Sequence, residues 1–392
     1  MMNKEQDRMN PGIESDVFDQ LLEMVRRFTE ERLMPAEALV EETDDIPEDI
    51  VQEIRDLGLF GISIPEIYGG IGLNMAQETL VIETLCNASL AFRSLIGTTV
   101  GIGSQGLVMD GTEAQKQAFL PRLASGEIIS SFALTEPDHG SDAAHIQTTA
   151  RRDGDDFIIN GTKRYITNAS RAGMFTLLAR TDPDKEGASG VTAFLMPADA
   201  PGISFGKTDK KMGQRGTRTC DVMLDNVRLP ASAIIGGPDN LGKGFYTAMK
   251  VLDRGRIHLS AVAVGTSQRM INIATDYARE RKQFGVPIGQ HQLVQALLAD
   301  SQTDLLAARH LCRAAARKYD AEGSAVLEAS CSKLFASEAA GRIADRCVQI
   351  HGGAGYIADY QIERLYRDVR LLRIYEGTSQ IQQIIIARNM LK

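Results

Sequence analysis

Apolar residues recur at three- and four-residue intervals from residue 16 to residue 34, where Val17, Leu21, Leu22, Val25, Phe28 and Leu33 stand among charged neighbours. That period predicts an amphipathic helix stopped by Pro35. Comparable spacing continues through residues 50–59 and 77–90, with the Gly-rich turn Tyr68-Gly69-Gly70-Ile71-Gly72 between them. The acidic run Glu41-Glu42-Thr43-Asp44-Asp45 reads as a solvated connection. Near Ser130 the pattern shortens to runs rich in β-branched and aromatic residues, such as Phe157-Ile158-Ile159, Arg164-Tyr165-Ile166-Thr167 and Val191-Thr192-Ala193-Phe194-Leu195. Asp153-Gly154 and Asn160-Gly161 are hairpin signals, so antiparallel strands are expected. From Leu241 onward, stretches rich in Ala, Leu, Arg and Gln dominate. They are broken at Phe284-Gly285-Val286-Pro287, at Glu322-Gly323 and at the glycines of 352–355, which predicts a helical bundle. The expected class is α+β, mostly α. An N-terminal helical domain covers residues 1–129, a middle antiparallel β-domain 130–238 and a C-terminal helical bundle 239–392.

A chain of 392 residues with 43% apolar residues can bury more than one core, and no apolar run approaches the length of a membrane span. A net charge of −8 supplies no basic footprint, which argues against nucleic acid or membrane insertion and leaves small metabolites as ligands. Five widely spaced cysteines, Cys86, Cys220, Cys312, Cys331 and Cys347, fit buried thiols in a reducing compartment. The polar Met1–Asp7 segment carries no signal- or transit-peptide pattern, so a cytoplasmic location is expected. Neither the histidines nor the cysteines show zinc or iron spacing, and no metal is expected.

Several segments carry candidate chemistry, each with a plainer reading beside it. Gly101-Ile102-Gly103-Ser104-Gln105-Gly106 fits a dinucleotide fingerprint in letters, yet its neighbours are helix-like and no βαβ series follows, which disfavours a nicotinamide site. Ala133 to Asp142 joins a short strand to a turn crowded with hydroxyls and backbone donors, suited to the polar edge of a ring or to an ordinary loop. Tyr165 can stack on a flat cofactor or simply pack in a strand. Arg279, Arg281 and Lys282 close a helix, as dipole complement or as a phosphate site. Arg93, between Phe92 and Ser94 in apolar surroundings, is a structural ion pair or a recognition group for an acyl tail. The Gly-rich loop from Gln349 to Tyr356 is compatible with phosphate. Glu376 sits between Tyr375 and Gly377 ahead of Ile381, Ile384, Ile385 and Ile386. It is a first-turn helix acid or a general base whose pKa an apolar cavity raises.

Together these segments resemble the acyl-CoA dehydrogenase family from about residue 16 to residue 391. The likeness is carried by Leu134-Thr135-Glu136-Pro137 with Gly140-Ser141-Asp142, Tyr165-Ile166-Thr167-Asn168, Leu252-Asp253-Arg254-Gly255-Arg256, Glu280 to Gly285, Gln349 to Tyr356 and Tyr375 to Gln382. Their order and separations agree with the family. The resemblance implies a three-part fold ending in a four-helix bundle, assembled as a homotetramer with FAD in each subunit. It implies that Phe132, Leu134, Thr135, Gly140 and Ser141 contact the flavin and that Tyr165 and Thr167 pack on or bond to its ring system. Arg281, Phe284, Gln292, Gln349 and Gly353 would hold the pyrophosphate and adenosine end across a subunit contact, and Thr378 and Gln380 would bind FAD beside the base. Implied substrate contacts are Ser141, Asp253, Arg256, Tyr375 and Gly377, with Arg93 as an acyl-tail candidate.

Glu376 is similar in position to the family's catalytic base. The reaction the resemblance implies is α,β-dehydrogenation of an acyl-CoA thioester to trans-2-enoyl-CoA. Glu376 takes the α-proton, hydride passes to flavin N5, and electrons go on to an electron-transfer flavoprotein or similar acceptor. Some members carry the base at the position of Gly255, which cannot serve here. His139 and His145 depart from the small residues usual at their positions. Phe92-Arg93-Ser94 resembles the glutaryl-CoA branch, although Cys86 stands where that branch has a Glu. The alternative within the class is therefore a glutaryl-CoA-type dicarboxylyl-CoA dehydrogenase, decarboxylating or not. Outside the class it is a non-oxidising FAD-containing lyase or acyl-CoA-binding protein.

Overall fold

A computed structural model describes residues 11–392, and the Met1–Asp7 segment lies outside the described residues. The first part is helical: α1 (Ser15–Phe28), α2 (Met34–Thr43), α3 (Glu48–Asp56), α4 (Met75–Leu85), α5 (Leu90–Gly97), α6 (Gln105–Asp110) and α7 (Glu113–Ala124). The chain does not stop at Pro35. Thr29–Leu33 form a π-turn that runs straight into α2, so Pro35 falls in that helix's first turn, where its missing N–H is not needed. The acidic run that ends α2 is not a solvated connection either. Glu41 pairs with Arg367 at 2.9 Å, Asp44 accepts the Gly216 N–H at 2.6 Å, and Asp45 is shared by Arg218 and Arg171. These acids tie the first helices to the rest of the molecule.

One seven-stranded sheet follows, from β1 (Ile129–Ala133), β2 (Thr149–Asp153), β3 (Asp156–Thr167), β4 (Ala172–Arg180), β5 (Val191–Pro197), β6 (Ile203–Phe205) and β7 (Thr219–Pro230). Its order is β1-β4-β2-β3-β7-β6, with β5 also on β4. The β2–β3 hairpin marked by Asp153-Gly154 is antiparallel, but β1 and β2 both run parallel to β4, which local turn chemistry does not encode. Phe157, Phe175 and Phe194 fill the core on one face of this sheet, Phe157 meeting Phe194 edge-on at 5.4 Å.

The last part holds α8 (Gly244–Glu280), a small hairpin of β8 (Lys282–Gln283) and β9 (Val286–Pro287), then α9 (Gln292–Glu322) and α10 (Val326–His351). α11 (Ile362–Val369) and α12 (Ser379–Met390) pack on α10. A single apolar core runs from Val25 and Val81 through Ile257 and Val262 to Ile343, so the helices at the two ends of the sequence are welded together around the sheet's edge. Gly101 and Gly103 belong to a π-turn over Thr98–Gly103 with no strand before it. A Cβ on Gly103 would sit 2.4 Å from Ser130 Oγ, so that glycine serves close packing of helix on β1.

Candidate active site

A cavity of about 540 Å³ opens where the loop after β1, the end of β3, α5, α8 and the turn before α12 converge. Its sheet wall depends on a slip in register. Lys163 pairs with Val222 and Ile166 with Cys220, leaving Arg164 and Tyr165 as a bulge on β3. Tyr165 has φ 59°, a left-handed conformation rare for an aromatic residue, and its ring is thereby turned out of the sheet onto the cavity wall. The Arg164 N–H donates to Thr135 O at 2.8 Å, locking the bulge to the loop that carries Leu134, Thr135, Gly140 and Ser141. That loop is braced from behind. Buried Glu136 accepts Lys163 Nζ at 2.8 Å and the Thr148 N–H at 2.9 Å, and Lys163 also donates to Leu134 O at 3.1 Å. Burial pulls the Lys163 ammonium down to about 8, against the opposing pull of Glu136. His139 and His145 do not line the cavity; His145 turns to Asp142 at 2.6 Å instead.

The opposite wall carries the carboxylate. Glu376 has φ 52° and Gly377 φ 90°, a tight turn placed before the true N-cap of α12, Thr378, whose hydroxyl accepts the Ile381 N–H at 3.3 Å. Glu376 is thus not a first-turn helix acid. Its Oε2 is buried and without a hydrogen-bond partner, and among the described residues its backbone N–H has none either. Desolvation raises the Glu376 pKa above the ordinary carboxylate value, with Arg93, Lys333 and Arg256 pulling the other way. Gly255 of α8 faces this carboxyl: a Cβ there would lie 2.3 Å from Oε2. Positions 255 and 376 therefore address the same point in space. Arg256 pairs with Asp253 beside it, and burial lowers the pKa of this arginine.

Arg93 is buried and also lines the cavity. Its Nε donates to His258 Nε2 at 2.9 Å, and His258 Nδ1 meets Glu78 Oε1 at 2.7 Å, while Arg254 pairs with the other oxygen of Glu78. Burial and the two guanidiniums push His258 down to about 4, so the ring is neutral, and its acceptor Nε2 fixes the proton on Nδ1. The terminal nitrogens of Arg93 have no protein hydrogen bond among the described residues.

Of the positions singled out by sequence, Phe132, Leu134, Thr135, Gly140, Ser141, Tyr165, Thr167, Arg93, Arg256, Tyr375, Glu376 and Gly377 all line this one cavity. Asp253 lies behind Arg256, and Thr378 and Gln380 are off the cavity wall. Arg281, Phe284, Gln292, Gln349 and Gly353 are exposed at the far end of the bundle, where Tyr277 of α8 stacks on His351 of α10 at 4.3 Å. Sequence reasoning missed Lys211, Gln214 and Thr217, which reach the cavity from the segment before β7, and Thr219 at the start of that strand. It also missed Lys333, buried behind the turn, although an inward lysine was readable from its spacing with Ala329, Ala336 and Ala340 on one face of α10.

Sequence profiles of three domains match the chain in order: acyl-CoA dehydrogenase, N-terminal domain, over residues 15–127, the middle domain over 131–227 and the C-terminal domain over 242–391. The chain belongs to the acyl-CoA dehydrogenase family. Acyl-CoA dehydrogenases are flavoprotein oxidoreductases acting on CH–CH bonds, and this enzyme is one of them. It is 42% identical to a 3-(aryl)acrylate reductase of Clostridium sporogenes over 369 residues, covering 94% of this chain and 97% of that protein. The structure of butyryl-CoA dehydrogenase from Megasphaera elsdenii matches with a TM-score of 0.91 at 33% identity, over 97% of this chain and 99% of that one. A glutaryl-CoA dehydrogenase from Mycobacterium smegmatis in complex with FADH2 matches with a TM-score of 0.89 at 32% identity, over 96% and 95%. Within this acyl-CoA dehydrogenase, no helix among the described residues is long and apolar enough to cross a membrane, and no group of three potential metal ligands occurs among them.

Proposed function

We propose that this acyl-CoA dehydrogenase binds FAD and oxidises the α,β bond of an acyl-CoA thioester, with Glu376 as the base that takes the α-proton. The observation that carries the reading is the unpartnered, desolvated Oε2 of Glu376 facing the same cavity as Tyr165 and the loop after β1. That wall suits FAD. Tyr165, Phe132 and Leu134 offer apolar surface, Thr135, Ser141 and Thr167 offer hydroxyls, and a Cβ on Gly140 would meet nothing within 4 Å, leaving the loop open to a ring edge. When bound, FAD supplies the acceptor for the β-hydride. The residues of the chain do the rest. An α-C–H is a weak acid, so the base must be stripped of water, as Glu376 is, and the enolate oxygen must find donors as charge develops. The free N–H of Glu376 supplies one such donor. Phe245, Met249, Leu252, Ile381, Ile384 and Ile385 line the cavity and keep water from the reacting carbons. By the family resemblance Asp253 and Arg256 would meet the thioester arm, and in support Arg256 lines the cavity with Asp253 paired behind it. Arg281, Phe284, Gln292, Gln349 and Gly353 are left for the distal half of FAD in a neighbouring subunit, with an electron-transfer flavoprotein or similar protein accepting the electrons.

The same contacts serve both directions, because a base that accepts the α-proton returns it in the reverse step. The name of the Clostridium sporogenes relative describes such a reduction. A second reading, a substrate with a distal carboxylate, is supported by the open terminal nitrogens of Arg93 inside this cavity.

One titration tests both. FAD-loaded protein is mixed anaerobically with acyl-CoA thioesters of graded length, branching and ω-carboxylation, and the flavin absorbance and any carbon dioxide are followed. Bleaching is expected with at least one thioester, and in Glu376→Gln the bound FAD is kept while bleaching slows by roughly 10²- to 10⁴-fold. Preference for an ω-carboxylated thioester selects the second reading. No bleaching across the panel, or an unchanged rate in Glu376→Gln, overturns the proposal.

A further inference from the structure

We propose that Lys333 of α10 is a positioning residue for this base, fixing the Glu376-Gly377 turn and holding a positive charge behind the Glu376 carboxylate. The inference rests on the reading of Glu376 as the base. Lys333 is 1% exposed, and its Nζ donates to Gly377 O at 2.7 Å. That hydrogen bond alone does not account for a buried ammonium, whose desolvation is costly. Gln382 Nε2 already donates to the same carbonyl at 3.0 Å and to Glu376 O at 3.3 Å, so a neutral amide holds the turn from the other side. What Gln382 does not supply is charge.

Three cations face Glu376: Arg93 from α5, Arg256 from α8 and Lys333 from α10. Arg93 and Arg256 line the cavity, and Arg256 is shared with Asp253, so both change surroundings when substrate enters. Lys333 does not line the cavity and acts through the turn. Its other charged neighbours are Arg256 and Glu338, and Glu338 is engaged by Arg373 at 3.0 Å and Ser379 at 2.5 Å. The carboxylate of Glu376 is thus the acid near Lys333 that makes no ion pair in the described structure. Burial lowers Lys333 to about 8, which still leaves it largely protonated at neutral pH. The arrangement sets two opposed effects on the base: burial keeps it strong, and a fixed rear charge keeps it ionised.

The test is a titration of the Glu376 carboxyl by infrared difference spectroscopy on FAD-loaded protein without substrate, the band being assigned by its loss in Glu376→Gln. In Lys333→Met the carboxyl is expected to titrate at a pH higher by about one unit or more, since an opposite charge nearby favours the ionised form. The acid limb of kcat/KM against pH moves with it. Lys333→Arg, which keeps the charge, restores the limb towards the wild type. If Lys333→Met does not fold, Lys333→Gln keeps a donor without the charge and is expected to show the same displacement. An unshifted carboxyl titration in the neutral variants overturns the proposal, whatever their rate. Full activity in Glu376→Gln would instead remove the base assignment, and the two failures are separate because the infrared shift needs no turnover.

Discussion

Gly255 and Glu376 lie 121 residues apart in sequence and contend for one place in the cavity. In the middle of α8 a glycine is unfavourable by roughly 0.5–1 kcal/mol relative to alanine, so its presence there has a local reason. The reason is the 2.3 Å that would separate a Cβ from Glu376 Oε2. The atom that must yield is the tip of a flexible side chain, and Ile102 Cγ2, at 3.3 Å, needs to give only slightly. Gly255→Ala is therefore expected to leave the thermal midpoint unchanged or raised while lowering turnover by roughly 10- to 100-fold, because the base is displaced from its reacting position. Calorimetry and steady-state rates on the same preparation check the pairing; a fall in both together would count against it. At this scale the sequence announced Glu376 through its neighbours Tyr375 and Gly377, and Arg93 through its apolar surroundings. Their partners His258 and Glu78 stayed silent, since a buried polar contact between distant helices leaves no local pattern, whereas the inward face that carries Lys333 was legible but not what its ammonium meets.

Elements are held together here by polar groups as well as by apolar faces. Glu78 on α4, Arg93 on α5, and Arg254 and His258 on α8 form one buried chain of hydrogen bonds and ion pairs. His258 is neutral in it, with its pKa down to about 4 from 6.5. A folded-state pKa below the unfolded value means that acid favours the unfolded chain: the contribution of His258 is fully present above pH 6.5 and is lost as pH falls toward about 4. Between pH 6.5 and 4.5 this loss is on the order of 2 kcal/mol. His351, lowered by burial, adds to it in the same direction. Urea unfolding at a series of pH values is expected to show this slope, and His258→Gln to flatten the part that belongs to His258. A slope unchanged by that substitution would show that the ring is not held neutral. The periods of α1 and α4 were readable because each buries one apolar face, whereas the bundle was readable from its composition, α8 being buried on all sides from Arg254 to Ser267. The π-turn ahead of Pro35 and the parallel pairing of β1 with β4 were not, since both depend on contacts with segments distant in sequence.

At the scale of the whole molecule, the far end of the bundle exposes large apolar side chains. Phe284 is 93% exposed, Leu293 83% and Tyr356 86%. Single exposed apolar residues are ordinary, but these stand with Arg281, Gln292 and Gly353 on the hairpin between α8 and α9, the first turn of α9 and the turn after α10. Phe284 takes φ 53° to be presented this way, its ring resting edge-on against His291 at 5.8 Å. Backbone strain that exposes an aromatic ring is disfavoured for the isolated subunit and is offset only if something covers the ring. A homotetramer of the kind the family resemblance implies would supply both the cover, a second copy, and a use for the polar neighbours, the distal half of the partner's FAD. Phe284→Asp combined with Leu293→Asp is accordingly expected to yield a smaller species by sedimentation and to release FAD on dilution, with the helical circular dichroism of each subunit retained. The α8–α9 hairpin carries no buried core of its own beyond Ile288, so the subunit fold has little to lose from the change. A double variant that sediments like the wild type and keeps its FAD would mean that this end of the bundle faces solvent, and that Arg281 and Gln349 hold nothing across a subunit contact.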